Sequence, residues 1–268
     1  MACRRRGLFS DPGLPVLLFG HRGYSALAPE NTLAAFQLLV DRGIPGAELD
    51  AQLSRDGVPV VVHDFDLKRT TGLAARVRDV EASAIRELDA GRWFSPEFRG
   101  EKVPLLEEVL ARFGRRLYFD VELKWDRRAG NGLEERVIGL IRRHGLEERC
   151  LLSSFNPFCI LRARRLAPEL PTAHIWYRGR ELPFILRHGE AALLAPGPLA
   201  KPEGARIRAW NSALLRLLGS RLVAWGVEEP EEARRLVRLG VRGLISNDPG
   251  RLRGALPAPG LSPAPARD

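Results

Sequence analysis

The chain has 268 residues, 45% of them hydrophobic, and a formal net charge of +9. That length suits one (β/α)₈ barrel of about 250 residues, and the composition excludes a disordered chain or a disulfide-stapled mini-domain. The 42 basic residues are four lysines and 38 arginines. They are spread along helical stretches without interleaved aromatics, which argues against nucleic acid and leaves room for phosphodiesters or transient contact with an anionic membrane surface.

At the N-terminus Arg4 to Arg6 imitate the start of an export signal, but the apolar run that follows, Val16 to Phe19, is too short for one. No stretch approaches the roughly 20 apolar residues of a membrane span. The odd cysteine count (Cys3, Cys150, Cys159) carries no CxxC pair. These features predict a cytoplasmic protein in a reducing compartment.

Short apolar runs then alternate with amphipathic ones. Val16–Gly20 reads as a buried strand, and Asn31-Thr32 as the polar start of a helix, Leu33–Arg42, with Asn31 as its cap. Ala47–Leu53 and Val58–His63 read as strands joined by the turn Ser54-Arg55-Asp56-Gly57. A long connection, Asp64 to Pro104, holds a charged helical stretch, Val80–Asp89, and the loop Trp93-Phe94-Ser95-Pro96. Helix and strand then alternate: Leu105–Phe113, Leu117–Lys124, Leu133–His144, Leu151–Phe155, Phe158–Leu166, Thr172–Tyr177, Leu182–His188, Ala191–Ala195. The series ends with Arg221–Val227, helix Pro230–Leu239 and Val241–Asn247.

Such alternation predicts an α/β fold with a parallel sheet, and the count of nine strands is one more than a closed barrel needs. Ala191–Ala195, short and near two prolines, is the expected surplus. No glycine-rich phosphate loop follows the first strand, which counts against a nucleotide-binding open sheet. The expected organisation is an N-terminal extension (1–14), one catalytic barrel (15–250) and a Pro/Ala-rich tail (251–268).

The chemistry-bearing residues sit at strand ends. Side chains two apart on a strand share a face, so Glu48 pairs with Asp50 and Glu122 with Lys124. At the mouth of a parallel barrel, three converging carboxylates repel one another unless a cation holds them, and oxygen-only ligands suit Mg²⁺ or Ca²⁺. An ordinary salt bridge is the plainer reading of each carboxylate alone; the pairing on separate strands favours the metal. Of five histidines, His21 and His63 end strands and are available as acid and base. His144 and His188 sit near helix C-termini, where a plain surface role suffices, and His174 is ambiguous. Arg22 and Lys124 would bring positive charge to a phosphate at the same mouth.

Taken in order, His21-Arg22-Gly23, Pro29-Glu30-Asn31-Thr32, Glu48-Leu49-Asp50, Val60-Val61-Val62-His63-Asp64 and Glu122-Leu123-Lys124 resemble the glycerophosphodiester phosphodiesterase family. Ser153-Ser154-Phe155, Ala224-Trp225-Gly226-Val227 and Gly243-Leu244-Ile245-Ser246-Asn247 extend the resemblance over roughly Val16 to Pro249. It implies a TIM-type barrel of the phospholipase C-like phosphodiesterase kind, hydrolysing glycerophosphodiesters to glycerol 3-phosphate and an alcohol. It places metal ligands at Glu48, Asp50 and Glu122, for one divalent cation, Mg²⁺ or Ca²⁺, with Mn²⁺ also admissible. It places acid/base histidines at His21 and His63, and phosphate-binding residues at Arg22 and Lys124. In the scheme it implies, the glycerol 2-hydroxyl attacks phosphorus and water then opens a cyclic phosphate.

Glu30 is expected to orient the first loop, and Trp225 to line the substrate mouth or simply pack the barrel. The chain departs from the family where Trp225-Gly226-Val227-Glu228 stands for a Trp-Thr-Val-Asn pattern, and where Arg242 replaces an aspartate. Both departures bear on the substrate, a small glycerophosphodiester or a lysolipid. A lysophospholipase D-type hydrolase and a non-catalytic barrel that binds phosphodiesters or anionic lipid are the competing readings.

Overall fold

The computed structural model describes Phe9, residues 16–176 and residues 197–256. Eight strands close a parallel barrel: β1 (Leu17–Gly20), β2 (Gly46–Leu53), β4 (Tyr118–Leu123), β5 (Cys150–Ser154), β6 (Thr172–Trp176), β7 (Leu199–Pro202), β8 (Arg221–Ala224) and β9 (Val241–Ser246). Pairing of β1 with both β2 and β9 completes the ring. The expected barrel fold is therefore the observed one.

Two strand assignments need correction. The ninth strand, β3 (Pro59–Val61), pairs antiparallel with β2 and stays outside the barrel. The expected strand Val58–His63 is thus the return arm of a hairpin. The chain leaves β2 through a tight turn, Ser54 to Gly57, and a parallel return needs a crossover of a dozen or more residues. The sixth barrel strand is Leu199–Pro202, which alternation did not mark. The expected helix Leu182–His188 and strand Ala191–Ala195 lie outside the described residues.

Burial sorts into three apolar layers. Inside the barrel, Leu17 and Phe19 from β1 meet Leu151, Ala173, Leu199, Val223 and Ile245, with Phe9 packed on Phe19. Gly46 is required here, because a Cβ would lie 2.4 Å from the Phe19 ring. Alternate residues such as Leu18, Leu49, Phe119 and Val121 face the outer helices, including α1 (Leu33–Asp41), α2 (Leu106–Phe113) and α3 (Leu133–Arg143). A third cluster, Val60, Val62, Leu67, Val77, Ile85 and Val103, builds the connection after β3 into a packed unit. Leu252 and Leu256, in the stretch read as tail, are buried against the barrel.

Phe119 is fully buried in the outer layer. Phe119→Ala is expected to lower unfolding stability by about 3–5 kcal/mol through lost transfer energy and a residual cavity. Urea denaturation at unchanged m-value checks this.

Candidate active site

The apolar filling of the barrel gives way, toward the C-terminal ends of the strands, to a layer of charged side chains. Glu48, Asp50, Asp120 and Glu122 are all buried. The β2–β4 register sets Glu48 beside Asp120 and Asp50 beside Glu122. One carboxylate oxygen from each of Glu48, Asp50 and Glu122 lies within 4.8 Å of the other two. Burial pushes Glu48 up to about 8 against the pull of Lys201, with Asp50 and Glu122 adding to the rise. For Asp50 the burial effect is outweighed by Lys124, His63 and Arg22, which hold it below the usual carboxylate range. Asp50 Oδ1 is buried without a hydrogen-bond partner. A buried carboxylate oxygen with no donor, facing two further carboxylates, is a fit for a hard divalent cation.

Each ligand candidate is oriented from behind. The loop after β1 turns sharply, with Arg22 at φ 54 and Gly23 at φ 84. A non-glycine residue in that region is uncommon. Here the Arg22 backbone N–H is thereby aimed at Glu48 Oε2, 2.9 Å away. The Arg22 guanidinium donates to Glu30 at 2.9 Å and lies 3.6 Å from Asp50. Asn31, also at positive φ, donates from Nδ2 to Asp50 Oδ2 at 2.9 Å. The helix cap is Thr32, whose hydroxyl accepts from the Ala35 N–H, so the expectation of a capping Asn31 is corrected. Asn31 is turned toward the barrel and brackets Asp50. Lys124 Nζ is 3.0 Å from Glu122 and 3.7 Å from Asp50.

The two histidines have different partners. His21 Nδ1 is 2.8 Å from Asn247 Oδ1. The Asn247 amide is itself fixed, since its Nδ2 donates to Glu228 at 2.9 Å. A carboxylate only accepts, so Oδ1 must face His21, and His21 carries its proton on Nδ1. Nε2 is left with its lone pair, 3.9 Å from Glu48. Burial, then the neighbouring Arg22, lower His21 to about 4, so the neutral ring is the form present near pH 7. His63 Nδ1 lies 2.6 Å from Asp64 Oδ1. Asp64 is gripped by Arg69 at 2.6 Å, and Arg69 also holds Glu30. Gln52 on β2 donates to the carbonyls of Val62, His63 and Asp64, which pins the histidine loop onto the barrel.

All ten residues singled out from sequence lie within the described structure. Glu48, Asp50, Glu122, Lys124, Arg22, Glu30, Asn31, His21 and His63 form one connected network. Trp225 stands just beyond β8, edge-on to Phe155 at 6.3 Å and packed against the interior cluster. The Glu228 departure acts behind Asn247 and so through His21. Arg242 alternates with Gly243 and Ile245, which places it on the outer face of β9.

Sequence reasoning missed a second buried layer below the carboxylates. Lys201 on β7 is 2.8 Å from Asp120 Oδ2 and 3.7 Å from Glu48 Oε1, and it donates to Ser153 Oγ. Ser153 in turn donates to Asp120 at 2.6 Å. Burial would lower the lysine, but Asp120 and Glu48 outweigh it and keep Lys201 charged. The scarcity of lysine in this chain and the Asp120-x-Glu122-x-Lys124 spacing were the available signals.

The glycerophosphoryl diester phosphodiesterase family profile matches residues 21–251. A glycerophosphodiester phosphodiesterase of Caldanaerobacter subterraneus subsp. tengcongensis is 33% identical over 240 residues, covering 89% of this chain and 97% of that protein. A Bacillus subtilis glycerophosphodiester phosphodiesterase is 31% identical over 251 residues, covering 87% and 84%. Among solved structures, an Oleispira antarctica phosphodiesterase in complex with the product sn-glycerol-3-phosphate superposes with TM-score 0.79 at 26% identity, covering 90% and 96%. The Agrobacterium tumefaciens glycerophosphodiester phosphodiesterase gives TM-score 0.74 at 27% identity, covering 88% and 98%.

Proposed function

The chain belongs to the glycerophosphoryl diester phosphodiesterase family, and from that membership we propose that it hydrolyses glycerophosphodiesters to glycerol 3-phosphate and an alcohol by metal-assisted acid/base catalysis. The observation that carries the reading is the juxtaposition of a three-carboxylate cluster with two histidines whose outer nitrogens are already committed to Asn247 and Asp64.

Glu48, Asp50 and Glu122 would hold one divalent cation, Mg²⁺, Ca²⁺ or Mn²⁺. When bound, it supplies positive charge to the phosphate oxygens as negative charge grows there. Arg22 and Lys124 bind the same oxygens from the side. His21, neutral and with Nε2 free, takes the proton of the glycerol 2-hydroxyl as that oxygen attacks phosphorus. His63 gives a proton to the departing alcohol, and Asp64 stabilises the imidazolium it starts from. A cyclic phosphate and the free alcohol result. Water then attacks phosphorus, His63 takes its proton, and His21 returns one to the 2-oxygen, which restores both rings.

The two buried free thiols, Cys150 and Cys159, fit a reducing, cytoplasmic setting. None of the described helices is long and apolar enough to cross a membrane.

Hydrolysis of glycerophosphocholine is expected to be abolished by thorough EDTA treatment and restored by adding back Mg²⁺, Ca²⁺ or Mn²⁺. Glu122→Gln is expected to weaken metal affinity by about tenfold or more, because ligand charge sets affinity at such sites. Activity indifferent to chelation would remove the metal from the reading. Absence of turnover on any glycerophosphodiester or lysolipid with every metal would favour a binding protein.

A further inference from the structure

A small recess opens beside the reaction centre, between the loop after His63 and the loop after β4. Phe65 and Trp125 give it apolar walls, and its charged lining is Lys124, Arg76, Arg78 and Asp126. Lys124 connects it to the catalytic cluster, since its ammonium touches Glu122 and lies close to Asp50. A phosphate held by Lys124 over the carboxylates therefore has this recess within reach of one of its two ester arms.

Among the described residues, several arginines of this part of the chain are engaged in ion pairs, and those of the recess are not. Arg22, Arg55, Arg69 and Arg86 are each paired with a carboxylate. Arg76 and Arg78 have no ion pair and no side-chain hydrogen bond among the described residues. They flank Val77, which is buried in the apolar cluster and anchors the segment. The Arg76 backbone is also bridged to Asp66. Two guanidiniums on an anchored segment, with no carboxylate of their own, offer five donors each to an incoming anion. Asp126 opposes them with a single negative charge.

Resting on the phosphodiesterase reading, we propose that this recess is the subsite for the departing alcohol. It favours an alcohol arm that carries its own phosphate or phosphodiester over a cationic arm such as choline. The glycerol arm is the poorer occupant. It is uncharged, gains nothing from the guanidiniums, and must instead keep its 2-hydroxyl at a histidine.

The test compares kcat/KM for glycerophosphoglycerophosphoglycerol, whose alcohol arm bears a second phosphodiester, with that for glycerophosphocholine. The metal-loaded wild type is measured beside R76Q/R78Q, a pair of exposed or half-exposed positions outside the catalytic network. The wild type is expected to prefer the anionic ester. The double variant should lose about tenfold on it, mainly in KM, a charged hydrogen-bonding effect discounted for solvent exposure. Its glycerophosphocholine activity should stay within about twofold. Asp126→Asn should shift preference further toward the anionic ester. Equal losses on both esters, or no loss on either, would overturn the subsite while leaving the phosphodiesterase reading intact. A wild type that cleaves neither ester with any metal overturns both.

Discussion

Replacing His63 by alanine is expected to lower kcat on glycerophosphocholine by about 10²–10⁴-fold, and His21→Ala by a similar factor, with the fold retained. Neither imidazole is part of an apolar cluster, and each is partly exposed at the mouth. Removal of His63 leaves Asp64 held by Arg69, and removal of His21 leaves Asn247 held by Glu228, so no buried charge is stranded. The two losses should nevertheless differ in kind. With a p-nitrophenyl ester of glycerol phosphate the leaving group departs without a proton. His63→Ala should then recover most of the lost rate, and His21→Ala should recover none, because the 2-hydroxyl still needs a base. The reverse pattern would exchange the two roles. Recovery of neither variant would show that proton transfer to the alcohol is not what His63 supplies.

That assignment could not be reached from sequence, and the reason is physical. Glu48, Asp50, Glu122 and Lys124 were legible because strand alternation puts residues two apart on one face and a parallel barrel gathers strand ends at one mouth. His21 and His63 were legible as strand-end histidines, but their roles depend on long-range partners. Asn247 lies 226 positions from His21 and is oriented by Glu228. Val58–His63 reads as a barrel strand because its continuous apolar, β-branched run is that of any buried strand. The discriminating fact was the shortness of the turn before it, which permits only an antiparallel partner. Leu199–Pro202 escaped notice for the opposite reason. Its four residues carry a lysine and end in proline, a pattern that reads as surface loop. Burial of that lysine makes sense only once Asp120 and Glu48 are brought opposite it.

Lys201→Met is expected to be the most destabilising single change in the barrel interior. The side chain is 3% exposed and Asp120 is fully buried, so the substitution removes one partner of a buried pair and strands the other. Such losses run to about 3–5 kcal/mol, because the remaining carboxylate must be protonated or left uncompensated. For a domain of this size that corresponds to a fall in Tm of roughly 6–15 °C. Ser153 Oγ would still donate to Asp120, but one hydrogen bond from an uncharged hydroxyl does not replace an ammonium at 2.8 Å. The double substitution K201M/D120N separates this cost from any loss of packing. With both charges gone, a methionine of similar length lies against a neutral amide that Ser153 can still bond. Most of the lost stability should therefore return. Thermal or urea unfolding of wild type, single and double variants measures this directly. A single variant as stable as wild type, or a double variant no better than the single, would mean that Lys201 does not hold Asp120 as a charged pair. The expected recovery, by contrast, locates the cost in the stranded charge, directly beneath the carboxylates that the proposed chemistry requires.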